Sequence, residues 1–152
     1  MKRNIGMKNQ SLAHSFAVIL LGTAFLASAP APIARANSDD AVVQKTAGGV
    51  PYVSGGVGTD SIDRLNSLAS EFNLKLVFAL TSGSYVSDVK VAIADATGRT
   101  VLDTTSDGPW LLTRLPAGNY QVVATLSGNA VKRQVAVGAA KLRTVDFRWT
   151  SE

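Results

Sequence analysis

Asp88-Val89-Lys90-Val91-Ala92-Ile93-Ala94-Asp95-Ala96-Thr97-Gly98, followed by Gly108-Pro109-Trp110 and Leu115-Pro116-Ala117-Gly118-Asn119-Tyr120-Gln121-Val122, decides the fold. Apolar side chains alternate with polar or small ones, and each run closes on a turn that carries glycine. A period of two puts Val89, Val91 and Ile93 on one face of a strand, with Lys90 on the other. Short alternating runs separated by such turns describe an antiparallel β-sandwich.

Working outward, the same pattern predicts seven strands, over residues 74–81, 86–95, 100–105, 110–114, 119–126, 131–137 and 142–149. Leu74, Leu76, Phe78 and Leu80 share one face of the first strand. Tyr120, Val122, Ala124 and Leu126 share a face of the fifth, and Val145, Phe147 and Trp149 a face of the last. A slip of one residue would expose each of these sets, so register is tightly specified. The expected fold is mainly β: a seven-stranded, immunoglobulin-like Greek-key sandwich over 74–149.

One short amphipathic helix is expected before it, over 58–73. Ile62, Leu65, Leu68, Ala69 and Phe72 recur at helical spacing, and Arg64, Ser67, Ser70 and Glu71 face away. Asp60 is expected to cap its start, with Asp63 near the positive end of the dipole, and Asn73 to end it in a left-handed conformation. The helix is too short to stand alone and needs a sheet to pack on. Residues 37–57 are polar and glycine-rich and read as a flexible lead-in, with Tyr52-Val53 the place for a short edge strand.

The first residues carry Lys2, Arg3 and Lys8, then an apolar stretch from Phe16 to Ala29 and a small-residue exit at Ala34-Arg35-Ala36. These are the three regions of a secretory signal peptide, so 1–36 is expected to be removed between Ala36 and Asn37. Pro30 directly after the earlier Ala27-Ser28-Ala29 disfavours cleavage there. The uninterrupted apolar part falls short of the ~20 residues of a spanning helix. The expected product lives in the periplasm or outside the cell, with no membrane attachment once the leader is gone.

Removing the leader changes the charge. Of 15 Lys and Arg, four (Lys2, Arg3, Lys8 and Arg35) precede Asn37; all 11 acidic residues follow it. Eleven basic residues then balance eleven acidic ones. A nucleic-acid partner loses its electrostatic footing. The chain has no cysteine, and its one histidine, His14, lies in the leader.

The run Val89-x-Val91-x-Ile93-x-Asp95-x-x-Gly98, with Gly108-Pro109-Trp110, Leu115-Pro116-Ala117-Gly118-Asn119-Tyr120-Gln121-Val122 and Val135-x-Val137, resembles the carboxypeptidase regulatory-like domains. The resemblance covers 74–149, and Leu-Pro-x-Gly-x-Tyr is its most specific part. It implies a transthyretin-like sandwich, similar also to starch-binding-domain-like folds. It implies no peptidase activity, because the zinc of metallocarboxypeptidases sits in a separate domain. The helix and glycine-rich segment depart from the minimal domain and suggest a bacterial secreted variant.

Residue chemistry leads the same way. Without histidine or cysteine after position 36, no His/Glu or Cys zinc site and no Ser-His-Asp or Cys-His centre is expected. A carboxylate-pair hydrolase would have to draw on Asp88, Asp95, Asp103 and Asp107, whose spacing fits turns and strand ends. Gly56-Val57-Gly58 before a helix resembles a phosphate-binding turn, but Ser61 stands where a third glycine belongs. Asp103-Thr104-Thr105-Ser106-Asp107-Gly108 lacks the alternating ligands and closing glutamate of a calcium loop. No catalytic, cofactor or metal residues are expected. Among the aromatics, Tyr120 and Trp149 fall on inward positions. Trp110 and Tyr85 are the candidate ligand-binding residues, since a flat ring can stack on a sugar or hold a side chain. The expected function is a non-catalytic exported module that binds an envelope protein or glycan. A carbohydrate-binding module is the alternative.

Overall fold

The computed structural model describes residues 43–46 and 49–152. The expected leader and the Ala36–Asn37 cleavage point lie outside the described residues. The described chain is mainly β, in two sheets, with one short helix. In chain order it forms β1 (Gln44–Lys45), β2 (Pro51–Gly55), α1 (Thr59–Leu68), a 3₁₀ turn (Ala69–Glu71), β3 (Leu74–Leu80), β4 (Lys90–Ala94) and β5 (Thr100–Thr105). β6 (Trp110–Thr113), β7 (Gly118–Leu126), β8 (Asn129–Val137) and β9 (Arg143–Trp149) follow.

One sheet has the order β1-β2-β6-β3-β9 and the other β5-β4-β7-β8. The inward faces of both meet in a single core. Leu74, Leu76, Phe78, Phe147 and Trp149 come from the first sheet, and Val91, Ile93, Tyr120, Val122 and Ala124 from the second. Phe78 lies 6.0 Å from Phe147 and 6.4 Å from Trp149 between ring centroids, at offset, tilted angles that aromatic pairs favour. The Trp149 indole N–H donates to the Asn129 carbonyl at 2.8 Å, so the largest core ring leaves no buried donor unpaired.

The seven strands expected from 74 onward are all present, each end within a few residues of its expected place. Several expectations are corrected. The expected strand over 86–95 starts later: Asp88, the next-to-last residue of the β3–β4 connection, adopts a left-handed φ of 58°, and β4 begins only at Lys90. Ser106 enforces this by bonding that connection three times, through Asp88 N–H, Val89 N–H and the Val89 carbonyl. The pairing is not wholly antiparallel either. β3 and β9 run parallel over Leu74–Leu80 and Arg143–Trp149, because both start at the same end of the sheet. The lead-in contributes β1 and β2 to the first sheet, since the Thr46 hydroxyl and carbonyl close a turn with Val50 and Gly49 that lets Gln44–Lys45 fold back on Tyr52 and Pro51. Finally, α1 is capped by Gly58 at φ 79°, not by Asp60, which sits in the first turn.

Helix α1 carries the chain from the end of β2 to the start of β3, two strands that run the same way with antiparallel β6 between them. It lies on the outer face of the five-stranded sheet. Leu65 and Phe72 pack with Val53 and Leu112 in a second, smaller core, flanked by Leu68, Ala69, Trp110 and Leu142.

Asn73, expected as a left-handed helix terminator, does something else. Its φ is not positive, and its side chain is 1% exposed. The Nδ2 amide donates to the carbonyls of Leu115 at 2.7 Å and Gly138 at 2.9 Å, while Oδ1 accepts the Leu115 N–H at 2.9 Å. Its backbone N–H reaches the Thr113 carbonyl, and its own carbonyl accepts the Arg143 N–H. One residue thus ties the start of β3 to the β6–β7 turn and the β8–β9 loop.

The β6–β7 turn leads directly to Tyr120, which is 6% exposed and donates its hydroxyl to the Pro116 carbonyl at 2.6 Å. This is a tyrosine corner. Burial, and secondarily the Asp95 carboxylate, push the phenol above its ordinary pKa. A raised pKa stabilises the fold fully below the unfolded value, and that contribution fades as pH climbs through the folded value. Tyr120→Phe is expected to cost about 1 kcal/mol at pH 7 through the lost bond, and Tyr120→Ala about 3–5 kcal/mol through the lost ring. Denaturant midpoints check both values. The gap between wild type and Tyr120→Phe should narrow above pH ~10, where the unfolded phenol ionises.

Candidate functional site

Strand register assigns the outer face of the five-stranded sheet row by row. Val53, Leu112, Lys75 and Thr144 form one row, and Gly55, Trp110, Val77 and Asp146 the next. Beyond β6, Ala79 pairs with Tyr85, and Arg148 lies across β3 from them. Alternation along β3 puts Lys75, Val77 and Ala79 on the same side. Trp110 and Tyr85 therefore share one face, on the same flank of β3 and in successive rows.

Their surroundings differ. Trp110 is half-buried beside α1 and belongs to the smaller core. Gly56 lies so close that a Cβ there would come within 3.2 Å of the Trp110 Cγ, which explains why the chain passes the ring with a glycine. The Lys75 ammonium stands 3.1 Å from the ring centroid, a cation–π contact. Burial pushes that ammonium below the ordinary lysine pKa, so desolvation offsets part of the attraction. Trp110 is thus not the free stacking platform expected from its Gly-Pro neighbours; a ligand stacked there must displace Lys75. Tyr85 is 62% exposed and offers an open ring.

A concavity of about 450 Å³ lies at the end of the sandwich that holds the β4–β5 turn. Val50, Val101, Pro116 and Tyr120 wall it, and Asp95, Arg99 and Thr100 supply its polar atoms. Asp95 is occupied locally: it accepts the Thr97 hydroxyl at 2.6 Å and the N–H groups of Thr97 and Arg99, and pairs with Arg99 at 3.3 Å. The Thr97 hydroxyl bond, above all, holds its carboxyl below the usual value. These contacts build the turn.

The remaining carboxylates are dispersed. Asp88 and Asp95 stand before and after β4, at its two ends, and Asp103 pairs with Ala92 on the outer face of the other sheet. Asp107 accepts the Ser54 hydroxyl at 2.9 Å and donates its N–H back to it, joining the β5–β6 turn to β2. At Gly56-Val57-Gly58 the Gly56 N–H is taken by the Ser61 hydroxyl at 2.8 Å, so the turn's first donor points into its own helix. Among the described residues, no three His, Cys, Asp or Glu side chains converge as metal ligands. No helix among them is long and apolar enough to cross a membrane.

Sequence reasoning found both aromatics but missed Lys75. Its alternation with Leu74 and Leu76 marks it as outward, but only the register of β3 with β6 brings it to Trp110. Compared with known proteins, the chain matches no family model and no curated relative. The carboxypeptidase regulatory-like resemblance rests on the residues quoted for it.

Trp110→Ala is expected to destabilise the fold by about 3 kcal/mol, because it empties the space between α1, Gly56 and β3. Tyr85→Ala should stay within about 0.5 kcal/mol of wild type. Urea unfolding followed by circular dichroism separates the two.

Proposed function

We propose that this chain is a non-catalytic, exported β-sandwich module that binds a partner in the cell envelope through the outer face of its five-stranded sheet. The observation that carries the reading is the exposed Tyr85 ring, on the same sheet face as Trp110 and one row farther along β3. Large aromatic rings at a rigid sheet face are the usual anchors of binding surfaces. The titratable groups with displaced pKa values serve structure: Tyr120 its corner, Asp95 its turn, Lys75 its ring. The leader and the Ala36–Asn37 junction support export.

We further propose that the fold is of the transthyretin-like type. From Leu74 on, the first strand joins the fourth and seventh (β6-β3-β9), while the second, third, fifth and sixth form the other sheet. Constant-type immunoglobulin domains instead keep the first two strands together. This division favours the transthyretin-like half of the expectation.

The carbohydrate reading keeps one specific support, Tyr85, since its ring is open to stacking. Purified, exported protein is expected to begin at Asn37 and to co-sediment with isolated envelope material. Tyr85→Ala should weaken that binding at least about fivefold, a change of about 1 kcal/mol. Full binding by Tyr85→Ala, or an intact leader on the exported chain, contradicts the proposal. Retention on purified polysaccharide rather than on envelope proteins would select the carbohydrate alternative.

A further inference from the structure

The charge of the chain is balanced after Asn37 but unevenly placed. Strands β8 and β9 and the loop between them carry Lys132, Arg133, Lys141, Arg143 and Arg148, all exposed, against one acid, Asp146. Nearly half of the basic residues after position 36 are gathered there, with one of the eleven acids. The one ion pair among the described residues is Arg99–Asp95, so none of these five cations has a carboxylate within 4.0 Å among them.

The backbone of the same region is open. β8 pairs only with β7 and ends its sheet, and β9 pairs only with β3 and ends the other. The two edges face one another across the side of the sandwich, joined at one end by the Trp149–Asn129 bond. Between them runs a cleft of about 420 Å³, lined by Arg133 and Val135 from β8 and by Arg143, Thr144, Val145 and Asp146 from β9. A neighbouring hollow of about 430 Å³ continues past Arg143 to Lys141. Register puts Arg133 and Arg143 on the inward parity of their strands: Arg133 opposes core residue Val122, and Arg143 opposes core residue Leu74. Each is an arginine at a position where an interior strand would carry an apolar side chain.

We propose that this side is a docking site for an extended acidic polypeptide segment, which adds to the free edge of β8 and places its carboxylates against Arg133 and Arg143. Along the nine residues of β8, alternate ones turn their backbone N–H and C=O away from β7 to the free side, as strand addition requires. A strand laid on that edge points alternate side chains into the cleft, over a floor of Val135 and Val145. Guanidinium groups there meet carboxylates in two-pronged geometry. The same cations repel a second β8 edge, so they block self-pairing while favouring an acidic partner. A flexible polyanion would answer the charge but leave the edge's N–H and C=O groups unmatched, and for that reason the peptide is favoured.

The test uses the purified protein and three probes: an end-blocked ten-residue peptide of alternating Glu and Thr, the same peptide N-methylated at alternate residues, and dextran sulfate. Titration calorimetry at low salt should show the first peptide binding. N-methylation, which removes the ladder donors, and Arg133→Gln with Arg143→Gln should each weaken binding at least about tenfold. The double variant should keep the wild-type denaturation midpoint, and Tyr85→Ala should bind the peptide as wild type does, which separates this site from the aromatic face. Three results overturn the proposal: no peptide binding, equal binding of the N-methylated peptide, or an unchanged affinity in the double arginine variant. Binding of dextran sulfate without binding of the peptide would assign the surface to polyanions instead.

Discussion

The Asn73 side chain holds the two ends of the sequence-distant turns together, and the rest of the sandwich is organised around it. A carboxamide offers two donors and one acceptor in a plane. Here both donors and the acceptor are used, on Leu115 and Gly138. The Asn73 amide and the Leu115 N–H and carbonyl it meets are buried, so each would otherwise carry the cost of a buried, unpaired polar atom, while the Gly138 contact lies at the rim. No buried side-chain polar atom among the described residues lacks a partner. The tyrosine corner follows from the same turn: with Leu115 pinned, Pro116 presents its carbonyl to the Tyr120 hydroxyl, and β7 enters the core at one register.

The first strand after the helix is thereby fixed before the helix itself is considered. β3 is an interior strand of its sheet, between β6 and β9, and its two faces do different work. Leu74, Leu76 and Phe78 fill the main core. Lys75, Val77 and Ala79 look outward, under α1 and toward the face where Trp110 and Tyr85 sit. The aromatic face and the helix are consequences of one strand's alternation. The cationic β8–β9 side is separate from it, set by two edges that meet no further strand.

Much of this was legible in the chain. Period-two alternation located the strands from Leu74 on, because burial on one face leaves a plain trace in sequence. Leu115-Pro116-Ala117-Gly118-Asn119-Tyr120 announced its turn and its inward ring, since proline and tyrosine act locally. What was not legible depends on pairing between distant segments. The parallel match of β3 with β9, the docking of Pro51–Gly55 beside β6, and the Lys75–Trp110 contact all arise from register. Asn73 is the clearest instance: next to a helix end, asparagine reads as a left-handed terminator, and only the approach of residues 42 and 65 positions away turns it into a buried bridge. The enclosure of Trp110 is hidden for the same reason, because the Gly56 and Lys75 against its ring come from elsewhere in the chain.

The central claim is that the Asn73 bridge opens only when the whole domain does. Native-state hydrogen exchange of the Leu115 amide, whose N–H is held by the Asn73 Oδ1, tests it directly. The account predicts an opening free energy within about 1 kcal/mol of that for core amides such as Phe78 and Val122, so that all three exchange through global unfolding. A Leu115 amide that exchanges through local opening, several kcal/mol below the core, would contradict it.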